Sequence, residues 1–344
     1  MAHPATKRFS FPGQAGILLL CIFIGIVLGG TLSLIPAMGK IDFLNSGKQS
    51  MEQVMDNLLR PENAPMLRWM QFISTLFMFF IPAVAYARIC HRKTAVHLGL
   101  DALPGLKEVG VVLLIVVAAV PAASVFQELT MMLPWSKQTL ATFKAAEEAY
   151  YKQVAVLVNM RSFGDYLTAL LIIAFLPALF EEVLFRGAIQ NLLSRWLKWP
   201  IVALIITSIL FSAIHGSYLG FLSRMVLGIV LGWIYLRSGN LWLSVLAHFM
   251  NNALAATSMY LSVRRGKPLV SGSMEEEFPI WVAVPALAAL AGLFFLFHRI
   301  VGTRAGRPGE EVVLELPDDS TNPFAESIQN DPSPEANAPE PPRL

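Results

Sequence analysis

Residues 170–193 read LLIIAFLPALFEEVLFRGAIQNLL, an apolar stretch that carries two glutamates and an arginine in its middle. A hydrocarbon core about 30 Å thick needs roughly 20 apolar residues as a helix, so this stretch is long enough to cross a bilayer. Charges at that depth cost about 2.5–3.5 kcal/mol each on insertion scales, and Glu181, Glu182 and Arg186 therefore need a reason. Glu182 and Arg186 stand four apart, share a helical face and can pair, whereas Glu181 is turned about 100° from Glu182 and is left free. An ion-paired helix end at the membrane surface would hold the same charges. Against that, Val183, Leu184, Phe185, Ala188, Ile189 and Leu192 continue the apolar pattern past them.

Outward from this stretch, eight segments are long and apolar enough, or nearly so, to span: 14–37, 66–88, 109–132, 166–194, 200–217, 219–236, 241–262 and 279–298. The pattern predicts an all-α polytopic membrane protein with about eight transmembrane helices. Composition agrees, with 55% hydrophobic and only 15% charged residues against a soluble norm of about 25% charged. Mean hydropathy is +0.56. The fifth and sixth segments are separated only by Gly216-Ser217-Tyr218 and form a hairpin, since their combined length is too great for one span.

A net charge of +2, with Lys and Arg scattered over short loops, gives no basic patch and argues against a nucleic-acid partner. Cys21 and Cys90 both fall in or beside apolar spans and do not suggest a disulfide framework. Lys7 and Arg8 precede an apolar run longer than the h-region of a cleaved signal, which predicts a retained signal-anchor helix. Arg88, Arg92 and Lys93 follow the second segment, Arg195 and Lys198 the fourth, Arg237 the sixth, and Arg299, Arg304 and Arg307 the eighth. By the positive-inside rule those ends are cytoplasmic, with both termini inside, although Arg264, Arg265 and Lys267 count the other way. The expected location is a bacterial cytoplasmic membrane.

The chain divides into a transmembrane helical domain, 1–303, and a Pro-, Asp-, Glu-, Asn- and Ser-rich tail, 304–344, too poor in large apolar residues to fold. Two external connections, about 38–65 and 133–164, are long enough to hold structure. In the second, Leu140, Phe143, Ala146, Tyr150 and Val154 recur at helical spacing and predict a helix along the interface.

Two more spans carry polar residues. In LIITSILFSAIHG, 204–216, His215 stands four residues after Phe211, on the same side. In LWLSVLAHFMNNALAATSMYL, 241–261, His248 and Asn252 stand at i and i+4 on one face, while Asn251 points elsewhere. Interhelical hydrogen bonding, worth about 1–2 kcal/mol in membranes, would explain one such residue but hardly five in three spans. Glu181 and His215 each lie 17 residues from Lys198, so an antiparallel hairpin brings them to one level. His248 lies only about nine residues from its own turn, and its level matches if the long fourth helix projects into the cytoplasm.

A carboxylate beside an imidazole in a dry pocket is a stronger base than in water and can orient and deprotonate a water molecule. Peptide hydrolysis needs such a water, and donors where the tetrahedral intermediate's oxygen becomes negative. Glu181 with His215 fits the first task, and His248 with Asn252 the second. Zinc held by Glu181, His215 and His248 with one open position is the alternative, although asparagine is a poor zinc ligand and the metal-free scheme is preferred.

Three motifs stand in order: EExxxR at Glu181–Arg186, FxxxH at Phe211–His215 and HxxxN at His248–Asn252. With them the sequence resembles the CPBP family of CAAX-prenyl proteases and bacteriocin-processing enzymes, also called the abortive-infection or ABI family, over about residues 165–262. The resemblance implies an all-helical intramembrane endopeptidase acting on a peptide or membrane-protein substrate in the lipid bilayer. It further implies that Glu181 and His215 activate water and that His248 and Asn252 stabilise the oxyanion, with Glu182 and Arg186 in support. No HExxH, GxSxG or GxGD motif is present, since Gly164-Asp165 lacks the preceding glycine. Two rivals stay open: a transporter whose buried Glu, His and Arg form a proton relay, and a non-catalytic immunity or partner-binding membrane protein.

Overall fold

A computed structural model describes residues 9–38, 51–158, 160, 162–265, 278 and 280–302. Among them every regular element is helical, and the protein is an all-α polytopic membrane protein. Helix α1 (Phe11–Ser33) starts at Ser10, whose hydroxyl accepts from Gly13 N. Helix α2 (Met51–Leu58) is followed by α3 (Ala64–Thr75) and α4 (Ile81–Cys90), which a π-helical turn over Leu76–Phe80 fuses into one run, Pro61–Cys90. The short α5 (Thr94–Leu98) leads to α6 (Leu106–Met132), capped by the Glu108 carboxylate accepting from Gly105 N at 2.8 Å. Helix α7 (Lys137–Leu157) starts at Ser136, which accepts from Thr139 N.

The fourth span is a continuous run of 35 residues, Phe163–Leu197. It comprises α8 (Phe163–Ala169), α9 (Leu176–Glu182) and α10 (Asn191–Leu197), joined by π-helical segments over Leu170–Phe175 and Val183–Gln190. Two of the three π segments have a common cause. Pro82 and Pro177 each stand two residues past one, and a mid-helix proline lacks an N–H and pushes away the carbonyl four residues back. The wider turn just before it absorbs that clash. Helices α11 (Pro200–Ala213), α12 (Phe221–Ser238), α13 (Leu241–Arg264) and α14 (Ile280–Val301) complete the chain.

All eight expected spans are helices, and six of them are long and apolar enough to cross a bilayer. His248, Asn251 and Asn252 dilute the apolar character of α13, which at 24 residues has the length. The fifth segment differs from its expected 200–217. Helix α11 stops at Ala213 after 14 residues, about 21 Å of rise, which is short of the hydrocarbon thickness. Gly216, at φ +65°, turns the chain there, and His215 sits in that turn instead of inside a span. A helix is present where the spacing of Leu140 to Val154 predicts one, as α7. The tail 304–344, Lys7, Arg8 and Lys267 lie outside the described residues.

Packing forms two large cores and a smaller one of Val158, Met160, Ala169 and Met259. Phe79, Tyr86, Phe180, Phe185, Phe211 and Val245 gather in one large core, and Val112, Ile115, Ile234, Leu243 and Phe297 in the other, where α6 lies against α12, α13 and α14. Polar contacts tie the helix ends. Tyr86 donates to Gln14 Oε1 at 3.3 Å and Arg195 donates to the same oxygen at 3.2 Å, joining the ends of α1, α4 and α10. Arg237 meets His298, joining α12 to α14.

Where dispersion and close approach, not the hydrophobic effect, hold helices together, small residues mark the contacts. A Cβ at Gly25 of α1 would lie 2.2 Å from the Phe77 carbonyl oxygen, a backbone atom that cannot step aside. Gly25→Ala is therefore expected to destabilise the protein by about 1–3 kcal/mol through overpacking. Thermal unfolding in detergent checks this, with Gly30→Ala, whose Cβ meets open space, as the control that keeps or slightly raises the midpoint.

Candidate active site

At the junction of α9 with the π segment after it, the two adjacent glutamates face different neighbours. Glu182 is fully buried, and its Oε1 accepts from Arg186 Nη1 at 2.9 Å and stands 2.9 Å from His248 Nδ1. Arg186, equally buried, donates a second bond from Nη2 to the Gly228 carbonyl oxygen of α12 at 3.0 Å. Gly228 also lets α12 lie close to α11, since a Cβ there would stand 3.2 Å from Ser208 and 3.3 Å from Phe211. One turn on, Gln190 donates to the Gly232 carbonyl oxygen at 2.9 Å, so a second glycine of α12 repeats the contact. The Glu182–Arg186 pair expected from the i,i+4 spacing is thus present, and it reaches two further helices.

Glu181 is turned about 100° from Glu182, as one residue of helical rotation requires. Its Oε2 lies 3.9 Å from His215 Nε2 and 4.0 Å from His248 Nε2, and accepts no hydrogen bond from the described residues. Each imidazole is fixed through its other nitrogen. His215 Nδ1 is 2.7 Å from the Phe211 carbonyl oxygen, four residues back, and His248 Nδ1 is bound to Glu182. Both Nε2 atoms are thereby presented to one carboxylate oxygen.

Phe211 sits between these groups. Its ring meets His215 edge-on at 4.9 Å and His248 at 5.7 Å, and the Arg186 guanidinium lies over it at 4.6 Å. Such a ring both packs the imidazoles and shields the guanidinium, a contact worth about 2 kcal/mol when desolvated. Asn252, one turn beyond His248, is half-buried and its Oδ1 accepts from Asn251 Nδ2 at 3.3 Å. This leaves its own amino group without an acceptor among the described residues.

Glu181, Glu182, Arg186, Phe211, His215 and His248 are therefore brought together, and Asn252 follows on the same helix as His248. His248 reaches the level of Glu181 and His215, since its Nε2 lies 4.0 Å from the Glu181 carboxylate and that of His215 3.9 Å. His248 is also not confined to one task. It bridges the two glutamates, a link invisible to motif reading because Glu182 and His248 lie 66 residues apart.

Separations of 3.9 and 4.0 Å suit a water hydrogen-bonded at about 2.8 Å to each atom, with an angle near 90° between the bonds. Tetrahedral zinc with bonds of about 2.1 Å would need its donors about 3.4 Å apart. Among the described residues no group of three His, Cys, Asp or Glu stands close enough to hold a metal ion.

Comparison with known proteins finds similarity over the part of the chain that holds this site. Residues 163–254 match the profile described as type II CAAX prenyl endopeptidase Rce1-like, a range that contains every residue of the cluster. An Escherichia coli protein described as an uncharacterized 24.3 kDa protein is 38% identical over 94 residues, 26% of this chain and 42% of that one. The uncharacterized protein YpbD of Bacillus subtilis strain 168 is 32% identical over 114 residues, 32% of this chain and 53% of that one. The chain spans about half the length of the curated relatives it matches. No solved structure matches.

Removing one partner of a buried ion pair strands the other charge, at a cost of about 3–5 kcal/mol. Arg186→Ala is expected to lose that much stability, and Glu182→Gln with Arg186→Met together to lose less than Arg186→Ala alone. Denaturant unfolding in detergent of the two variants tests the order.

Proposed function

We propose that this chain, whose residues 163–254 carry an Rce1-like domain, is an intramembrane endopeptidase that hydrolyses peptide bonds with a metal-free activated water. The observation that carries the reading is the Glu181 Oε2 atom, equidistant from two anchored imidazole Nε2 atoms at the separation one water would bridge. Glu181 takes a proton from that water as its oxygen attacks the scissile carbonyl carbon. The proton passes to the leaving amine as the C–N bond breaks, giving a carboxylate and an amine.

His215 orients the attacking water. His248 in its doubly protonated form, with Nδ1–H on Glu182 and Nε2–H turned inward, and the Asn252 amino group donate to the oxyanion. Glu182 and Arg186 fix His248 in place, as a carboxylate fixes the imidazole in other hydrolytic sites. Should zinc be used, Glu181, His215 and His248 are its donors and must close by about 0.5 Å to reach tetrahedral spacing.

The substrate is an apolar peptide or a segment of a membrane protein that reaches the site from the bilayer. The helix ends carrying Arg88, Arg195, Arg237 and Arg299 face the cytoplasm, and both termini lie on that side of a bacterial cytoplasmic membrane.

The test is purified protein in liposomes with a library of short hydrophobic peptides, products being read by mass spectrometry. Glu181→Ala and His215→Ala are expected to lower turnover by about 10²–10⁴-fold, the usual share of general acid–base catalysis. Equal product from both variants and wild type removes the mechanism. A proton-relay transporter would give no product and instead lose coupled uptake in Glu181→Gln. Chelator treatment is expected to leave turnover unchanged, and inactivation reversed by zinc would transfer the three donors to a metal.

A further inference from the structure

Helix α7 is amphipathic and largely exposed, yet one of its two buried residues is an acid, Glu147. A carboxylate is almost never buried without a partner. Glu147 Oε1 accepts the hydroxyl hydrogen of Ser217, and Ser217 Oγ in turn accepts from Gly220 N at 3.0 Å. Ser217 is the second residue after His215, across the positive-φ Gly216.

Two neighbours of Glu147 on the same face hold adjoining pieces of chain. Phe143 stacks on Tyr218 with ring centres 4.5 Å apart and planes 12° from parallel. The Arg224 guanidinium lies 5.7 Å from the centre of the Tyr150 ring. Phe143, Glu147 and Tyr150 thus form a stripe at i, i+4 and i+7 that clasps the His215 turn and the start of α12 along one side.

We infer that Glu147 is a positioning residue for the proposed hydrolysis, acting through Ser217 to hold the turn that aims His215 Nε2 at Glu181. Helix α11 ends at Ala213, so the helix ladder no longer fixes the backbone beyond it. His215 N and Gly216 N bond only to Ser212 and Ala213, the last residues of that helix. The clasp supplies the constraint from outside. With Ser217 donating to the carboxylate, the hydroxyl lone pairs must face Gly220 N, which closes the turn onto α12.

The inference rests on the hydrolase reading for its catalytic part, and two measurements separate the two. Hydrogen exchange of the 214–220 amides in full-length protein is expected to quicken about tenfold at Gly220 in Glu147→Ala, because the Ser217 hydroxyl, no longer held by the carboxylate, can turn away from Gly220 N, whatever the activity. In the peptide assay, Glu147→Ala and Ser217→Ala should each lower kcat about a hundredfold per folded molecule, as a displaced catalytic group does, with KM unchanged.

The double variant should be no worse than either single one, since both break one link. Glu147→Gln, which can still accept the Ser217 hydroxyl, should restore kcat to within a few-fold of wild type. Unchanged Gly220 exchange in Glu147→Ala, or wild-type kcat in it while Glu181→Ala is dead, overturns the inference. So does a Glu147→Gln variant as slow as Glu147→Ala. Equal activity of Glu181→Ala and wild type sinks the hydrolase reading alone, and the exchange result then decides the clasp.

Discussion

A carboxylate in hydrocarbon is costly unless it is paired, and the arrangement of this protein follows from how Glu182 is held. Its Oε1 carries two charge-assisted contacts at 2.9 Å, one from its own helix and one from α13. The shared cation, Arg186, is tied to a backbone carbonyl of α12. One buried charge therefore fixes three helices to each other. Replacing a buried ion pair by apolar residues is often neutral or stabilising, so stability alone does not explain why this one is present. Register does. Locking Glu182 sets the rotation of α9, and the residue before it is then turned by about 100°, toward His215 and the Nε2 of His248.

The surrounding polypeptide reaches this geometry by departing from regular helix in places where a span would ordinarily keep it. Three π-helical segments interrupt the second and fourth spans, and one begins immediately after Glu182. A π turn shifts the side chains after it relative to those before it, which lets one long helix point Glu181 and Glu182 at the site and Gln190 and Asn191 at other partners. Gly228 and Gly232 on α12 provide the close approach on the facing side. Backbone irregularity and small residues are thus concentrated around the same few polar atoms.

Much of this was legible from residue order because lipid enforces it. Backbone groups in hydrocarbon must bond within their own helix, so eight apolar segments could only become helices, and their limits follow hydropathy closely. Glu181, Glu182 and Arg186 were conspicuous for the same reason. What sequence pattern could not carry was any relation set by a turn or by distant partners. Hydropathy runs on through Ile214, so the expected fifth span overshot Ala213, and nothing short of the positive-φ Gly216 reveals where the helix stops. The Glu182–His248 bond is a product of rotation about two separate helices. Glu147 was within reach, since it lies on the stripe formed by Phe143, Tyr150 and Val154, but an acid on an amphipathic helix is ordinarily read as solvated.

The short fifth helix bears directly on how water and peptide could meet in a membrane. Non-helical backbone at membrane depth is tolerated only where protein buries it or a wet cavity lines it. Had α11 run the full thickness, His215 would be an imidazole on a closed rod, with its backbone already satisfied and no reason for solvent to reach it. Ending the helix early leaves a turn that must be covered from the side, and α7 provides that cover with a helix too polar to enter the lipid itself. The same truncation that exposes His215 Nε2 to Glu181 thereby creates the need for an external clasp. The approach of His215 to Glu181 and the covering amphipathic helix are two consequences of one missing helical turn.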